Sequence, residues 1–137
     1  MLILLVRHAL AADRDGARYP LDSDRPLVAK GKKTQAHISR RLARETGTDK
    51  KRRVASAPLA QDTNLAAIAE AVGPRTADEV VALVGHEPWM SELASVLLTG
   101  SASRLAVRFD KSGVMGIEAP TIAAAAGRLV FFTPTSP

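Results

Sequence analysis

Two unbroken apolar runs, Leu2-Ile3-Leu4-Leu5-Val6 and Val80-Val81-Ala82-Leu83-Val84, stand out from the rest of the chain. Each is five residues long and rich in branched side chains, which predicts strands buried on both faces. Between them the pattern changes to helical spacing. Ala36, Ile38, Leu42 and Ala43 form a thin stripe within Lys30–Thr46, and Gly47 stops it. Val54-Ala55-Ser56 predicts a short strand. Leu65, Ile68, Ala69 and Val72 then mark the inner face of a helix opened by Pro58 and stopped by Gly73-Pro74. After the second run, Met90, Leu93, Ala94, Leu97 and Leu98 face inward on a helix from Pro88 to Thr99, with Gly100 behind it. Leu105, Val107 and Phe109 alternate with Ala106, Arg108 and Asp110, the period of a half-buried strand. Lys111-Ser112-Gly113 reads as a turn, and Val114–Glu118 and Leu129–Thr133 read as further strands. Pro120 argues against continuous strand through residues 119–127, which remain ambiguous. Residues 9–30 show no period and many breakers, among them Asp13, Asp15, Gly16, Pro20 and Pro26. A long loop directly after a core strand is a place where function tends to sit.

Strands alternating with helices, then hairpins, predict an α/β fold with antiparallel strands added to a mainly parallel sheet. A length of 137 residues fits one domain, 1–137, with a single core. With 46% hydrophobic and 24% charged residues, the composition is that of a soluble globular protein, not a disordered chain. No apolar run approaches a membrane span, so no membrane association is expected. The first run is too short for a signal peptide and has no basic segment before it. The absence of cysteine excludes disulfides and thiolate metal sites and fits a cytoplasmic location. His8, His37 and His86 are the only imidazoles, and no metal-type spacing joins them.

The net charge of +5 is concentrated. Lys30, Lys32, Lys33, Arg40, Arg41, Arg44, Lys50, Lys51, Arg52 and Arg53 crowd one stretch, which could attract phosphate, nucleic acid or an acidic protein surface. The plainer alternative is the solvated side of a helix followed by a basic loop. No aromatic residue is interleaved with these charges and no nucleic-acid motif accompanies them, which argues against nucleic acid as the partner. His37 borders the helical stripe and reads as a surface or boundary residue.

The chemistry gathers where the apolar runs stop. Arg7-His8 follows the first, and Gly85-His86-Glu87-Pro88 follows the second. In open α/β sheets ligands bind beyond the carboxyl ends of strands. A strand that simply ends in solvent with polar residues is the alternative for each run. A neutral imidazole can attack phosphorus and form a phosphohistidine that water then hydrolyses. Its other nitrogen must be held by a hydrogen bond to fix the tautomer. Arginine offers the two-pronged donor that phosphoryl oxygens need. Gly85 permits close backbone approach, and a helix starting at Pro88 would add its positive end. Spacing alone does not bring His8 and His86 together.

Four segments, in order, carry a resemblance. Leu4-Leu5-Val6-Arg7-His8-Ala9 resembles the Arg-His-Gly signature of the histidine phosphatase superfamily, whose fold is phosphoglycerate mutase-like. Asp24-Arg25-Pro26-Leu27-Val28-Ala29-Lys30-Gly31 resembles the D-x-R-P-L-T-x-x-G segment of its small SixA-type phosphohistidine phosphatases. Ala55-Ser56-Ala57-Pro58-Leu59 resembles their S-S-P-L, and Leu83-Val84-Gly85-His86-Glu87-Pro88 their V-G-H-E-P. The resemblance implies a three-layer sandwich, a central sheet flanked by helices, with no metal and no organic cofactor. It implies His8 as the phosphoryl-accepting nucleophile, Arg7 as a phosphate clamp and His86 as a hydrogen-bond donor to the phosphoryl group. Arg25 would shape the loop more than touch phosphate. Glu87 would be either a carboxylate near the site or a cap on the next helix.

Two departures qualify the match. Where the family places a second phosphate-binding arginine, this chain has Gln61, which can donate a hydrogen bond but carries no charge, and Asp62 follows it. Loss of one charged transition-state donor commonly costs roughly a hundred- to a thousandfold in rate. Arg75, Arg52 or Arg53 are the candidates to stand in. The stretch 73–79 is also shorter than the family's strand and helix there, which implies an open pocket or one completed by a partner subunit. Glu87, Asp62 and Glu79 are the carboxylates left to act as a proton donor. Two readings follow. One is a phosphatase working through His8 on protein phosphohistidine or a small phosphoester. The other is a catalytically weak or inactive domain that binds phosphorylated ligands or proteins.

Overall fold

The computed structural model describes residues 1–9, 11–20, 25–47 and 64–133. The predicted strand at 54–56, the helix start at Pro58, and Arg52, Arg53, Gln61 and Asp62 lie outside the described residues. The chain runs β1 (Leu2–Arg7), α1 (Ala29–Thr46), α2 (Leu65–Val72), β2 (Val80–Gly85), α3 (Trp89–Thr99), β3 (Val114–Glu118) and β4 (Arg128–Thr133). The four strands form one sheet in the order β2-β1-β3-β4.

The unbroken apolar character of β1 has a direct cause, because both of its faces are covered. Ile3 and Leu5 join Ile68 of α2, Met90, Leu93 and Leu97 of α3, and Phe109, Met115 and Ile117 in one buried cluster. Leu4 and Val6 join Ile38 of α1 and Val114 in a second, with Leu2, Leu42 and Val80 packed against it. Burying a side chain of this kind contributes about 1.5–3 kcal/mol, so the covered positions of β1 anchor the strand firmly. All three helices stop at glycines with positive φ, Gly47, Gly73 and Gly100, as the sequence predicts.

Three expectations need correction. The second apolar run is not buried on both faces: Ala82 is exposed and Val84 is 48% exposed. Among the described residues β2 is an edge strand, and only Leu83 and Gly85 of it are buried. No single helix runs from Pro58 to Val72, because Asn64 is extended and its side chain accepts a hydrogen bond from the Ala67 N–H, capping α2. Residues 105–109 form no strand. The Leu105 N–H goes to Ser95 Oγ at 2.9 Å, the Val107 N–H to the Leu105 carbonyl at 3.1 Å and the Phe109 N–H to Glu87 Oε1 at 2.8 Å, so these three donors are satisfied without a ladder. The described sheet is mixed, with one parallel ladder, β1 with β2, and two antiparallel ones, β1 with β3 and β3 with β4.

The parallel ladder is what places the chemistry. Leu2 pairs with Val80 and Arg7 with Gly85, so β1 and β2 end side by side at one edge of the sheet. The His8 N–H donates to the Gly85 carbonyl at 2.8 Å and extends the ladder one step. At the opposite edge the Leu2 N–H donates to the Glu79 carbonyl at 2.9 Å. The 73–79 connection therefore leads into the end of the sheet opposite His8 and His86.

Candidate active site

The two histidines come together. Their rings sit 5.8 Å apart, centroid to centroid, at an interplanar angle of 61°. Nδ1 of His8 lies 2.8 Å from the carbonyl oxygen of Ala9. A carbonyl can only accept, so Nδ1 bears the proton and the ring's lone pair is on Nε2.

Arg7 is held in three ways. Its backbone N–H donates to the Gly113 carbonyl at 3.0 Å, and its carbonyl accepts from the Ser112 N–H at 3.1 Å. Its Nη1 donates to the Phe109 carbonyl at 2.6 Å. Its Nε is buried and has no hydrogen-bond partner among the described residues. A buried cationic N–H without an acceptor is costly unless a ligand supplies one.

Glu87 answers the question the sequence leaves open. Its Oε2 accepts from the Ser91 N–H at 3.1 Å, and its Oε1 accepts from Ser91 Oγ at 2.7 Å and the Phe109 N–H at 2.8 Å. It caps the first turn of α3 from the residue before Pro88, whose ring offers no cap, and it fastens the Phe109 segment. The positive end of α3 is thus engaged by this carboxylate.

A cavity of about 90 Å³ opens among Arg7, His8, Ala11, Arg14, Arg25, His86, Glu87 and Lys111. Among the described residues, four cationic residues and two imidazoles line the cavity with one carboxylate that already accepts three hydrogen bonds, a balance that favours an anion. Arg25 combines two roles. Its Nη1 donates to the Ala12 carbonyl at 2.8 Å, which ties the loop after β1, and it lines the cavity as well. Ala11 bridges Leu27, and the Ala12 N–H donates to the Pro26 carbonyl, so this loop is folded back on itself beside the histidines.

Arg14 and Lys111 are cavity residues that sequence reading misses. Neither belongs to a motif, and the available signal was only that Arg14 follows a core strand in a long loop and Lys111 sits in a turn. Other candidates fall away. His37 is exposed on α1. Arg75 and Glu79 pair with each other at 3.3 Å near the amino end of β2, away from the histidines, so neither is placed to act there as a phosphate-binding cation or a proton donor. A larger cavity of about 220 Å³ also lies away from the histidines, among Met1, Ala69, Arg75, Thr121 and Ile122, and holds no imidazole or carboxylate. Among the described residues no cluster of His, Cys, Asp or Glu could hold a metal ion, and no helix is long and apolar enough to cross a membrane.

A mixed α/β sheet of four strands with three helices, carrying paired histidines beyond a parallel strand pair, defines the architecture. Comparison of the sequence with family models and with curated proteins finds no match. Solved structures do match. The protein histidine phosphatase SixA complexed with tungstate superposes with a TM-score of 0.69 at 15% identity, over 98% of this chain and 97% of that one. An Agrobacterium tumefaciens protein assigned as phosphohistidine phosphatase SixA gives 0.66 at 21% identity, over 96% of each chain. A protein from Nakamurella multipartitia, assigned in the same way, gives 0.63 at 20% identity, over 96% of this chain and 94% of that one. The chain has the SixA-type histidine phosphatase fold.

Proposed function

We propose that the chain is a phosphatase that works through a phosphohistidine on His8. The observation that carries this reading is the convergence of His8 and His86 on one small cavity, with the Arg7 guanidinium beside them. Nε2 of His8 attacks phosphorus in line with the leaving group, forming a P–N bond as the substrate's bond to phosphorus breaks. Arg7 holds the phosphoryl oxygens, its Nε gaining the acceptor it lacks, and His86 donates a hydrogen bond to them. Water then attacks the phosphoryl group, releasing phosphate and restoring His8. A phosphorylated imidazole needs little help in leaving, which suits a site whose one carboxylate is occupied as an acceptor.

Cavity size favours a phosphoryl group presented by a protein over an enclosed small molecule. About 90 Å³ compares with roughly 300–1,000 Å³ for sites that bury a small ligand. On this reading the substrate is a protein phosphohistidine in the cytoplasm. The two buried clusters on either side of β1 support a three-layer sandwich forming one domain over 1–137. A second reading, a weak or inactive domain that binds phosphorylated ligands, is favoured by Gln61 at the position of the second arginine.

Hydrolysis of an aryl phosphate and of a phosphohistidine protein by the wild type and by His8→Ala tests both. Turnover abolished by His8→Ala is expected. Turnover that survives the substitution would sink the mechanism. Phosphate binding without turnover by the wild type would favour the binding domain.

A further inference from the structure

The cavity is lined by a cation that no motif reaches, carried on a fixed backbone turn. The turn Asp110–Gly113 closes with a hydrogen bond from the Gly113 N–H to the Asp110 carbonyl at 2.8 Å. It is fastened across Arg7 from both sides, by the Ser112 N–H to the Arg7 carbonyl and by the Arg7 N–H to the Gly113 carbonyl. Ser112 is buried with φ 64°, and Val114 pairs with Val6 immediately afterwards. The backbone of Lys111 is therefore locked beside Arg7, and the residue forms part of the cavity wall. No hydrogen bond or ion pair among the described residues engages its ammonium group.

Charge bookkeeping gives that group a task. A phosphoryl group in transfer spreads negative charge over three oxygens and needs more than one cation. Arg7 has already committed Nη1 to the Phe109 carbonyl. Arg25 has likewise committed Nη1, to the loop. An ammonium is a compact charge with three donors on a flexible stem, able to follow an oxygen as geometry changes.

We infer that Lys111 is a phosphoryl-binding cation of this site, acting beside Arg7. This rests on the phosphatase reading for its catalytic consequence, but it also predicts anion binding directly. The test compares wild type, Lys111→Met, Lys111→Arg and Arg108→Met in turnover of p-nitrophenyl phosphate and in calorimetric binding of inorganic phosphate. Arg108 is exposed, lies outside the cavity, and removes the same charge from the same segment.

Lys111→Met is expected to lower kcat about a hundredfold, with Lys111→Arg retaining most of it and Arg108→Met unchanged. Phosphate affinity should fall in Lys111→Met alone. Equal losses in Lys111→Met and Arg108→Met would reduce the effect to a diffuse field and overturn the inference, as would wild-type behaviour of Lys111→Met. If turnover proves independent of His8, the phosphatase reading fails, and phosphate affinity then decides on Lys111 alone. Loss confined to Lys111→Met supports it. Unaltered affinity, or a wild type that binds no phosphate, refutes it.

Discussion

Replacing Glu87 should loosen two parts of the molecule at once. Its carboxylate takes the Ser91 N–H at 3.1 Å, Ser91 Oγ at 2.7 Å and the Phe109 N–H at 2.8 Å, while the Phe109 carbonyl takes Arg7 Nη1. Phe109 itself is 0% exposed, so its N–H cannot turn to water when the acceptor is removed. Stranding that donor costs about 1–3 kcal/mol, and losing the cap of α3 adds about 1 kcal/mol. Glu87→Ala should therefore destabilise by about 2–4 kcal/mol, a large share of the roughly 5–15 kcal/mol typical of a domain. Glu87→Gln keeps one oxygen. If that oxygen stays on Phe109 and Ser91 Oγ, the amide N–H₂ faces the Ser91 N–H, donor against donor, and the loss should be about half as large. Urea unfolding followed by circular dichroism at neutral pH gives the stabilities through midpoint and slope. Phosphate binding, measured on the variants under conditions where they remain folded, gives the second readout, because a freed Phe109 segment no longer orients the Arg7 guanidinium. An alanine variant within roughly 0.5 kcal/mol of wild type, the range of ordinary surface changes, would refute the idea that Glu87 braces the clamp.

Gly127→Ala should destabilise by about 1–3 kcal/mol, since a Cβ there would lie 2.6 Å from Cγ2 of buried Ile117 and 3.1 Å from the Leu97 carbonyl oxygen; an unchanged unfolding midpoint would count against this packing. Glu79 accepts from the Thr76 N–H, and that bond, aided by Arg75 and the Thr76 hydroxyl, holds its pKa below the ordinary 4.5. A depressed folded pKa contributes stability above the unfolded value that is lost as pH falls through the folded one. The stability difference between wild type and Glu79→Gln should accordingly be present at neutral pH and shrink below about pH 4.3, and a difference that stays constant down to strong acid would contradict the assignment.

Much of the local structure is legible in the chain. Leu2–Val6 is apolar at every position because both faces of β1 are covered, and the three helices end at Gly47, Gly73 and Gly100 where the backbone needs positive φ. Arg7, His8 and His86 are visible as polar residues closing apolar runs. Features that depend on neighbouring elements are not written locally. Val80–Val84 has the same apolar content as β1, yet Ala82 and Val84 face outward because β2 lies at the edge of the described sheet. Phe109 mimics strand alternation, although its backbone is satisfied by the Glu87 carboxylate and not by a ladder. Asn64 looked like a helix interior residue and is a cap.

What only the tertiary structure decides is convergence. Hydrophobic period and capping are written into a few adjacent residues, since they reflect local burial and local hydrogen bonding. The meeting of His8 with His86 depends on a parallel register, Arg7 opposite Gly85, between segments far apart in the chain. The arrival of Lys111 beside Arg7 depends on an antiparallel one, Val6 opposite Val114. Register is a property of the whole sheet, set by which faces its helices bury. The residues of the site are therefore present in the sequence, whereas their membership of one cavity is a consequence of packing.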